Sequence, residues 1–221
     1  MFKHNNEIYF PINKLKGEYF VLPNYPSLEF YNDFYNKRTF NQKEFNIIYQ
    51  GTISENHGIE EVMYLLGYNS EINKTIILNL KGRIDSSYKN YLFSLATQLN
   101  CLEYLRFHDY TTYSEVPVLT SKCQLGIAIF KSNDIMNSTL GSASNKIYEY
   151  AAVGTPVIYL KKEHFISYLN ERKWAFSTDL SLLSLINIVK SVNNDFVNIS
   201  FDAYNDFQND FNFEKIISKI I

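Results

Sequence analysis

At 221 residues and 46% hydrophobic, the chain is long enough to bury a sizeable core, and a formal net charge of −2 argues against a general nucleic-acid or anionic-membrane binder. The opening MFKHNNEIYF carries no apolar core of signal-peptide length, and apolar runs such as LGIAIF at 125–130 fall far short of a membrane span, so the expectation is a cytoplasmic protein. Its two cysteines, Cys101 and Cys123, fit no metal spacing and read as buried thiols.

In chain order, residues 1–44 hold scattered aromatics, Pro11, Pro23 and Pro26, and the polar run NDFYNKRTFNQKE, with only YFVL at 19–22 resembling a strand. This is read as a connecting segment, and residues 45–221 as the domain. From Phe45 strands and helices alternate: FNIIYQ, a helix near 58–67, TIILNL, a helix near 86–99, LEYLRF, a short helix near 114–122, and LGIAIF. A helix over 145–153 and the strand PVIYL follow, then helices near 163–171, 179–193 and 203–220. Short apolar strands alternating with helices predict an α/β fold, a Rossmann-like parallel sheet with helices on both faces and right-handed crossovers.

Ligands of such sheets bind at the carboxyl ends of the strands. The loops there are GTISENHGIEE with Gly51, Thr52, His57 and Gly58; KGR with Lys81, Gly82 and Arg83; HDYTTYSEVP; and KSNDIMNSTLGSASNK. Glycines let a backbone approach a ligand closely, and His57, Lys81, Arg83 and Lys146 offer donors to negative charge, although glycines also simply form turns and lysines are usually solvated. GTISENHG has neither the spacing of a Walker A loop nor that of a dinucleotide fingerprint. Glu60 and Glu61 stand in the first turn of a helix, where the dipole favours them as solvated groups. His108 and Asp109 read as a surface loop, and Trp174 as packing the late helices onto the sheet.

The most informative stretch is SASNKIYEYAAVGTPVIY at 142–159. Ser144 is the candidate N-cap, and a helix starting there leaves the amides of about Asn145 to Ile147 unpaired, a phosphate-ready geometry. Glu149, one turn further in, is within reach of a hydroxyl-bearing group attached to that phosphate, such as a ribose. Gly154 ends the helix and Pro156 opens the strand. Ser-capped helices of this kind also occur without ligands throughout α/β proteins.

Taken together, YQGTISENHGIEEVMYLL, LKGR, LRFHDYTTYSEVPVLTSKCQLGIAIF, SNKIYEYAAVGTPVIY and FQNDFNFEKIISKI resemble, in that order, the C-terminal, donor-binding domain of B-fold glycosyltransferases. These are retaining, nucleotide-sugar-dependent enzymes that build bacterial polysaccharides. The resemblance implies that Glu149 meets the ribose hydroxyls of the donor nucleotide and that Ser144, Asn145 and Lys146 meet its diphosphate. It places Gly51 near the phosphates or sugar, Tyr110 and Thr111 at the base, and Gly82 and Arg83 in the loop lining the nucleotide pocket. The donor it implies is a nucleotide-diphosphate sugar, most commonly a UDP-sugar, with a saccharide acceptor. No Asp-x-Asp motif is present, so a metal-independent reaction with no cofactor is expected.

Three departures stand against the pattern. Thr52 and His57 occupy places where many relatives carry an arginine and a lysine on the leaving diphosphate, leaving Arg83, Lys81 or Lys146 as cations. Gly141 stands where many carry a second glutamate near the sugar. Residues 1–44 are too few for the N-terminal acceptor domain, although VLPNYPSLEF resembles its end. The expectation is therefore the second half of a transferase, from a split gene, a truncated relative or an excised domain, inactive alone and needing an acceptor-domain polypeptide. The tail from Tyr204 reads as the terminal helix that, in the family, reaches back towards the first domain. The alternatives are an inactive nucleotide-binding or regulatory module, and a sugar-nucleotide epimerase of the same fold.

Overall fold

The computed structural model describes residues 3–4, 7–8, 23–66, 72–132 and 140–218. The YFVL run, residues 133–139 of the loop after the fourth strand, and residues 219–220 of the expected final helix lie outside them. Six parallel strands form the main sheet: β1 (Glu44–Gln50), β2 (Thr75–Lys81), β3 (Leu105–His108), β4 (Leu125–Ala128), β5 (Val157–Leu160) and β6 (Ala175–Thr178). Their spatial order is β3-β2-β1-β4-β5-β6, so the winding reverses between β1 and β4. A separate ladder pairs Lys3–His4 with Glu7–Ile8.

The central strands β1 and β2 are buried along almost their whole length on both sides of the sheet, with apolar residues at their middles, as central parallel strands require. On one face Phe45, Ile47 and Tyr49 pack under α2 (Ile59–Met63), α3 (Ser86–Gln98) and the first half of α8 (Leu182–Asn209). On the other, Ile48 and Ala128 pack under α6 (Asn145–Ala152) and the second half of α8. The helix α8 therefore serves both cores. Two helices are expected here, and the 28 residues, which hold no Gly or Pro, do run as two helical segments that meet at a kink at Asp195 (φ −129°, ψ 30°), the second beginning earlier than residue 203. The break falls in Asn193-Asn194-Asp195, residues whose side chains compete for local hydrogen bonds; Asn198 Nδ2 donates to Asp195 Oδ1 at 2.6 Å.

Two other expectations change. Leu102–Tyr104 form a 3₁₀ turn before β3, which makes that strand shorter than LEYLRF. The strand β6 was not foreseen, because its half-exposed AFST lacks an apolar run. Glu60 and Glu61 are half-buried, the first accepting from the Tyr88 hydroxyl at 2.8 Å and the second paired with Lys131 at 3.0 Å. Cys101 and Cys123 are buried free thiols. Among the described residues, no helix is long and apolar enough to cross a membrane, and no group of three His, Cys, Asp or Glu could hold a metal ion.

Residues 23–43 lie against the second core through the single-turn helix α1 (Leu28–Tyr31), whose Tyr31 is completely buried. Tyr35 stacks on Tyr204 of α8 at 4.0 Å, and the Arg38 guanidinium lies over the Tyr35 ring at 3.8 Å. Arg38 also donates to the carbonyls of Val153 and Gly154 at 3.2 and 3.1 Å, a cation at the carbonyl end of α6. Trp174, fully buried ahead of β6, donates from Nε1 to Asp206 of α8 at 2.7 Å. After α8 the chain turns into α9 (Phe213–Ile217), whose Glu214 accepts from Ser27 Oγ at 2.6 Å and from the Leu28 amide at 2.7 Å.

The reversal point has its own fastening. β1 and β4 share only the pairs Ile47↔Leu125 and Ile48↔Gly126 before they diverge. Into the gap reaches the Tyr150 hydroxyl, which accepts from the Gln50 amide at 3.2 Å and lies 3.3 Å from the Ile48 carbonyl and 3.4 Å from that of Ile127. Its ring passes over Gly126, where a Cβ would come within 2.4 Å of it. Replacing Tyr150 by Phe leaves the buried Gln50 amide without its acceptor, so the urea midpoint of Tyr150→Phe should report a loss of about 1–3 kcal/mol.

Candidate functional site

At the reversal point the carboxyl ends of β1 and β2 and the start of α6 enclose a cleft of about 530 Å³. Its floor is made where two loops approach each other. The parallel ladder continues past the strands, with Gly51 N donating to the Lys81 carbonyl at 3.0 Å and Ile53 N to that of Arg83 at 2.8 Å. Gly82 has φ +139°, and a Cβ there would lie 2.0 Å from the Gly51 carbonyl oxygen, so no other residue fits without moving the floor. Gly51 itself has φ +119°. Thr52 is exposed beside it, and its carbonyl accepts from the Tyr49 hydroxyl at 2.7 Å.

One wall is the start of α6. Ser144 takes the N-cap position with extended backbone (φ −78°, ψ 108°), but its side chain makes no capping bond. The first amides of a helix have no intrahelical acceptor, and Ser144, Asn145 and Lys146 all line the cleft. The far end of α6 is closed as a Schellman turn: Gly154 (φ +68°) donates to Ala151 and Thr155 to Tyr150, each at 2.8 Å.

Lys146 reaches back across β1. Its Nζ donates to the Tyr49 hydroxyl at 2.9 Å and sits 4.0 Å above the Tyr49 ring and 4.8 Å from the Phe130 ring centre. Burial pushes this amine down to about 7, against the pull of the Glu149 charge. His57, grouped with the cations from the sequence, does not line the cleft. The chain turns away through Glu55–His57 and the left-handed Gly58, which leaves His57 behind Tyr49 and Phe130, with ring centres 5.0 and 5.6 Å away. Its Nδ1 meets Ser54 Oγ at 3.0 Å, and burial together with the Lys146 charge holds its ring down at about 4, neutral at pH 7.

Glu149 is 7% exposed and opens onto the cleft. Its Oε2 accepts from Gln50 Nε2 at 2.6 Å. A carboxylate only accepts, so the Gln50 amide nitrogen must face it, which turns Oε1 to accept from Thr120 Oγ1 of α4 (Val116–Thr120) at 2.6 Å. Burial raises the Glu149 carboxyl, while the nearby Tyr113 hydroxyl, the bond from Gln50 and the Lys146 charge draw it back. Gln50 and Tyr113 were not singled out from the sequence. The available signal was weak: Gln50 is the last residue of β1, on the same side of the strand as Ile48.

The opposite wall holds Gly82, Arg83, Tyr110 and Thr111. The exposed Arg83 guanidinium lies 4.6 Å over the equally exposed Tyr110 ring. Lys81 also lines the cleft, but it is buried and its Nζ donates to the Glu115 carbonyl at 3.0 Å. His108 points elsewhere, bonding Asn79 Oδ1 at 2.9 Å across the sheet. Gly141, in the short helix α5 (Leu140–Ala143), donates from its amide to His164 Nδ1 at 3.1 Å. A Cβ there would meet the His164 carbonyl oxygen at 2.6 Å, so a longer side chain at 141 would collide with α7 (Glu163–Leu169).

No protein-family model matches the sequence, and no curated protein matches it. Solved structures do. The chain is similar to Anabaena HepE in complex with UDP (TM-score 0.64, 18% identity, covering 80% of this chain and 48% of that one). It is also similar to sucrose-phosphate synthase from Thermosynechococcus elongatus (TM-score 0.62, 16% identity, 89% of this chain and 47% of that one). A third is the C-terminal domain of the glycosyl transferase group 1 family protein LpcC from Francisella tularensis (TM-score 0.56, 13% identity, 89% and 95%). The chain thus spans about half the length of the first two and nearly all of the isolated domain. What they share at these identities is the fold, that of the C-terminal half of a B-fold glycosyltransferase.

The depressed Lys146 amine has a consequence for stability. Between about pH 7 and its unfolded value near 10.4 the unfolded chain binds the proton that the folded chain has released, so stability rises with pH across that window. Urea midpoints measured from pH 7 to 10 should therefore climb more steeply for the wild type than for Lys146→Met, which removes this titration.

Proposed function

We propose that the chain is the donor-binding half of a glycosyltransferase and that the cleft holds a nucleotide-diphosphate sugar, with UDP as its nucleotide. The observation that carries this reading is the pairing, in one cleft at the reversal of the sheet, of a helix start bearing Lys146 with the buried, clamped carboxylate of Glu149. A diphosphate at the amides of Asn145 and Lys146 favours the charged form of the lysine, and Glu149 then accepts from ribose hydroxyls one turn deeper. The base lies against the side formed by Arg83, Tyr110 and Thr111. HepE, solved with UDP and with UDP-glucose, supports uridine as the base.

On this reading the chemistry is departure of the nucleoside diphosphate from the anomeric carbon as an acceptor hydroxyl attacks. Amides and a lysine already in place stabilise the charge growing on the leaving phosphate. Thr52 and the neutral His57 supply no cation, so Lys146 carries that role with Arg83 at the rim, and the reaction uses no metal or cofactor. The acceptor site comes from a second, Rossmann-like polypeptide or domain, acting in the cytoplasm on a saccharide. The same two residues, with Gly141 closed off by His164, also suit a second reading: a regulatory module that binds the nucleotide without transferring sugar.

Thermal unfolding with UDP, GDP and ADP tests the first step. At a hundred times the dissociation constant UDP should add about 2.7 kcal/mol, about 5–10 °C for a chain of this length, and Glu149→Ala should abolish the gain. Equal shifts with all three nucleotides would overturn the uridine assignment, and no shift with any would overturn nucleotide binding. Sugar transfer from UDP-sugar on adding an acceptor domain separates the enzyme from the regulatory module.

A further inference from the structure

Thr120, the last residue of α4, turns its side chain towards the end of β1. It is 1% exposed and does not line the cleft, whereas its partner Gln50 does. The Thr120 hydroxyl has one proton and two acceptors within reach, Gln50 Oε1 at 2.6 Å and the Val116 carbonyl at 2.9 Å. Gln50 Oε1 is the nearer, and a buried acceptor needs a donor. From the other end of the same side chain, Nε2 donates to Glu149 Oε2, also at 2.6 Å and also buried. The two bonds run in one direction, Thr120 to Gln50 to Glu149, and each fixes the sense of the other: an amide turned about would bring Oε1 against the carboxylate. The relay is held at both ends. The Gln50 amide donates to the Tyr150 hydroxyl at 3.2 Å, and the Thr155 hydroxyl lies 3.1 Å from the Thr120 carbonyl.

A carboxylate has about four lone-pair sites; Gln50 occupies one, and those left over are what a ribose would meet. We propose that Thr120 is a positioning residue for Glu149: by donating to Gln50 Oε1 it holds the Gln50 amide nitrogen on the carboxylate and so sets the direction in which Glu149 presents its remaining lone pairs to a ribose. This rests on the nucleotide reading of the cleft. Without the hydroxyl, Gln50 Oε1 stays buried with no donor, and that cost falls on the one orientation in which Nε2 faces Glu149. A side chain that never touches the nucleotide thereby governs its affinity. The Tyr113 hydroxyl at the rim accepts from Tyr31 at 3.4 Å and is anchored outside the relay. Since α4 follows directly on the 3₁₀ turn Tyr113–Glu115, the wall beside the base and the aim of the carboxylate depend on the seating of one short helix.

The test uses the full chain with Thr120→Val, which deletes the hydroxyl and keeps the branched shape, and Thr120→Ser, which keeps the hydroxyl. Gln50→Leu is made alone and together with Thr120→Val, and Thr120→Ala serves where valine does not fold. Calorimetric titration with UDP and with 2′,3′-dideoxy-UDP reads the ribose contact. A carbon-13 titration of the Glu149 carboxyl without nucleotide, assigned through Glu149→Gln, reads the relay directly. Thr120→Val should weaken UDP about threefold to tenfold, the worth of one hydrogen bond, and leave dideoxy-UDP unchanged. The double variant should lose no more than Gln50→Leu alone. The Glu149 midpoint should move up in Thr120→Val, because the bond from Gln50 holds it down, while Lys146 and Tyr113, the other groups that lower it, are untouched. Thr120→Ser should restore both readouts. Equal weakening of both nucleotides by Thr120→Val, a Glu149 midpoint unmoved by it, or a Thr120→Ser that binds UDP as weakly as Thr120→Val would overturn the proposal. If the wild type binds no uridine nucleotide, the nucleotide reading fails, and the carboxyl titration still decides the positioning: a shift reversed by serine upholds it and an unmoved midpoint overturns it.

Discussion

A single hydroxyl group, that of Tyr150, holds the place on which the site depends. Where β1 and β4 part company, backbone amides and carbonyls lose the neighbours that a continuous sheet would give them, and an unpaired buried group is costly. Tyr150 supplies the acceptor that Gln50 N lacks and lies against the two carbonyls flanking the gap, and Gly126 gives its ring the room. This fastening sets the rotation of α6. With Tyr150 turned into the sheet, Glu149 beside it opens onto the cleft and Lys146, one turn earlier, crosses to Tyr49. The crevice expected of a doubly wound sheet is thus shaped by a side chain as much as by the winding.

Within the crevice the charges are placed under tension. An amine and a carboxyl are both drawn out of water, and each is pushed toward its neutral form by burial while the other's charge pulls it back. Such a pair is kept for what it can do more often than for the stability it adds. The amine's nearest partners are the Tyr49 hydroxyl and two aromatic rings, not a carboxylate, so it can still meet an anion. His57 contributes by remaining neutral: a second cation behind Tyr49 would make the lysine still harder to charge. Arg83, exposed and resting on Tyr110, acts through solvent and is screened by salt.

Much of this was legible in the sequence where the chain speaks locally. The runs of β1 and β2, the helix near 86–99, and the Ser144 to Gly154 helix with its glycine stop are written in contiguous residues, and the structure has them within a residue or two. Gly51, Gly82, Arg83, Tyr110, Thr111, Ser144, Asn145, Lys146 and Glu149 come together because parallel winding gathers strand ends at one edge. What escaped depends on partners far away in the chain: Gln50 and Glu149 are 99 residues apart, and Tyr31 and Tyr113 are 82 apart. His57 illustrates the opposite error. Its distance along the loop suggested the cleft, but the left-handed turn at Gly58 takes it behind the wall. The first half of α8 is legible up to the kink at Asp195, where its apolar positions change face, whereas the second half begins earlier than the helix expected from residue 203.

The chain contains one tryptophan, and its indole is sealed between the start of β6 and the second half of α8, with its nitrogen bonded to Asp206. Light absorbed at the red edge of the protein spectrum therefore excites a single, buried chromophore on the side of the molecule away from the cleft. Its emission follows the seating of the long helix, and the protein thus offers an optical window on its scaffold without any label being added.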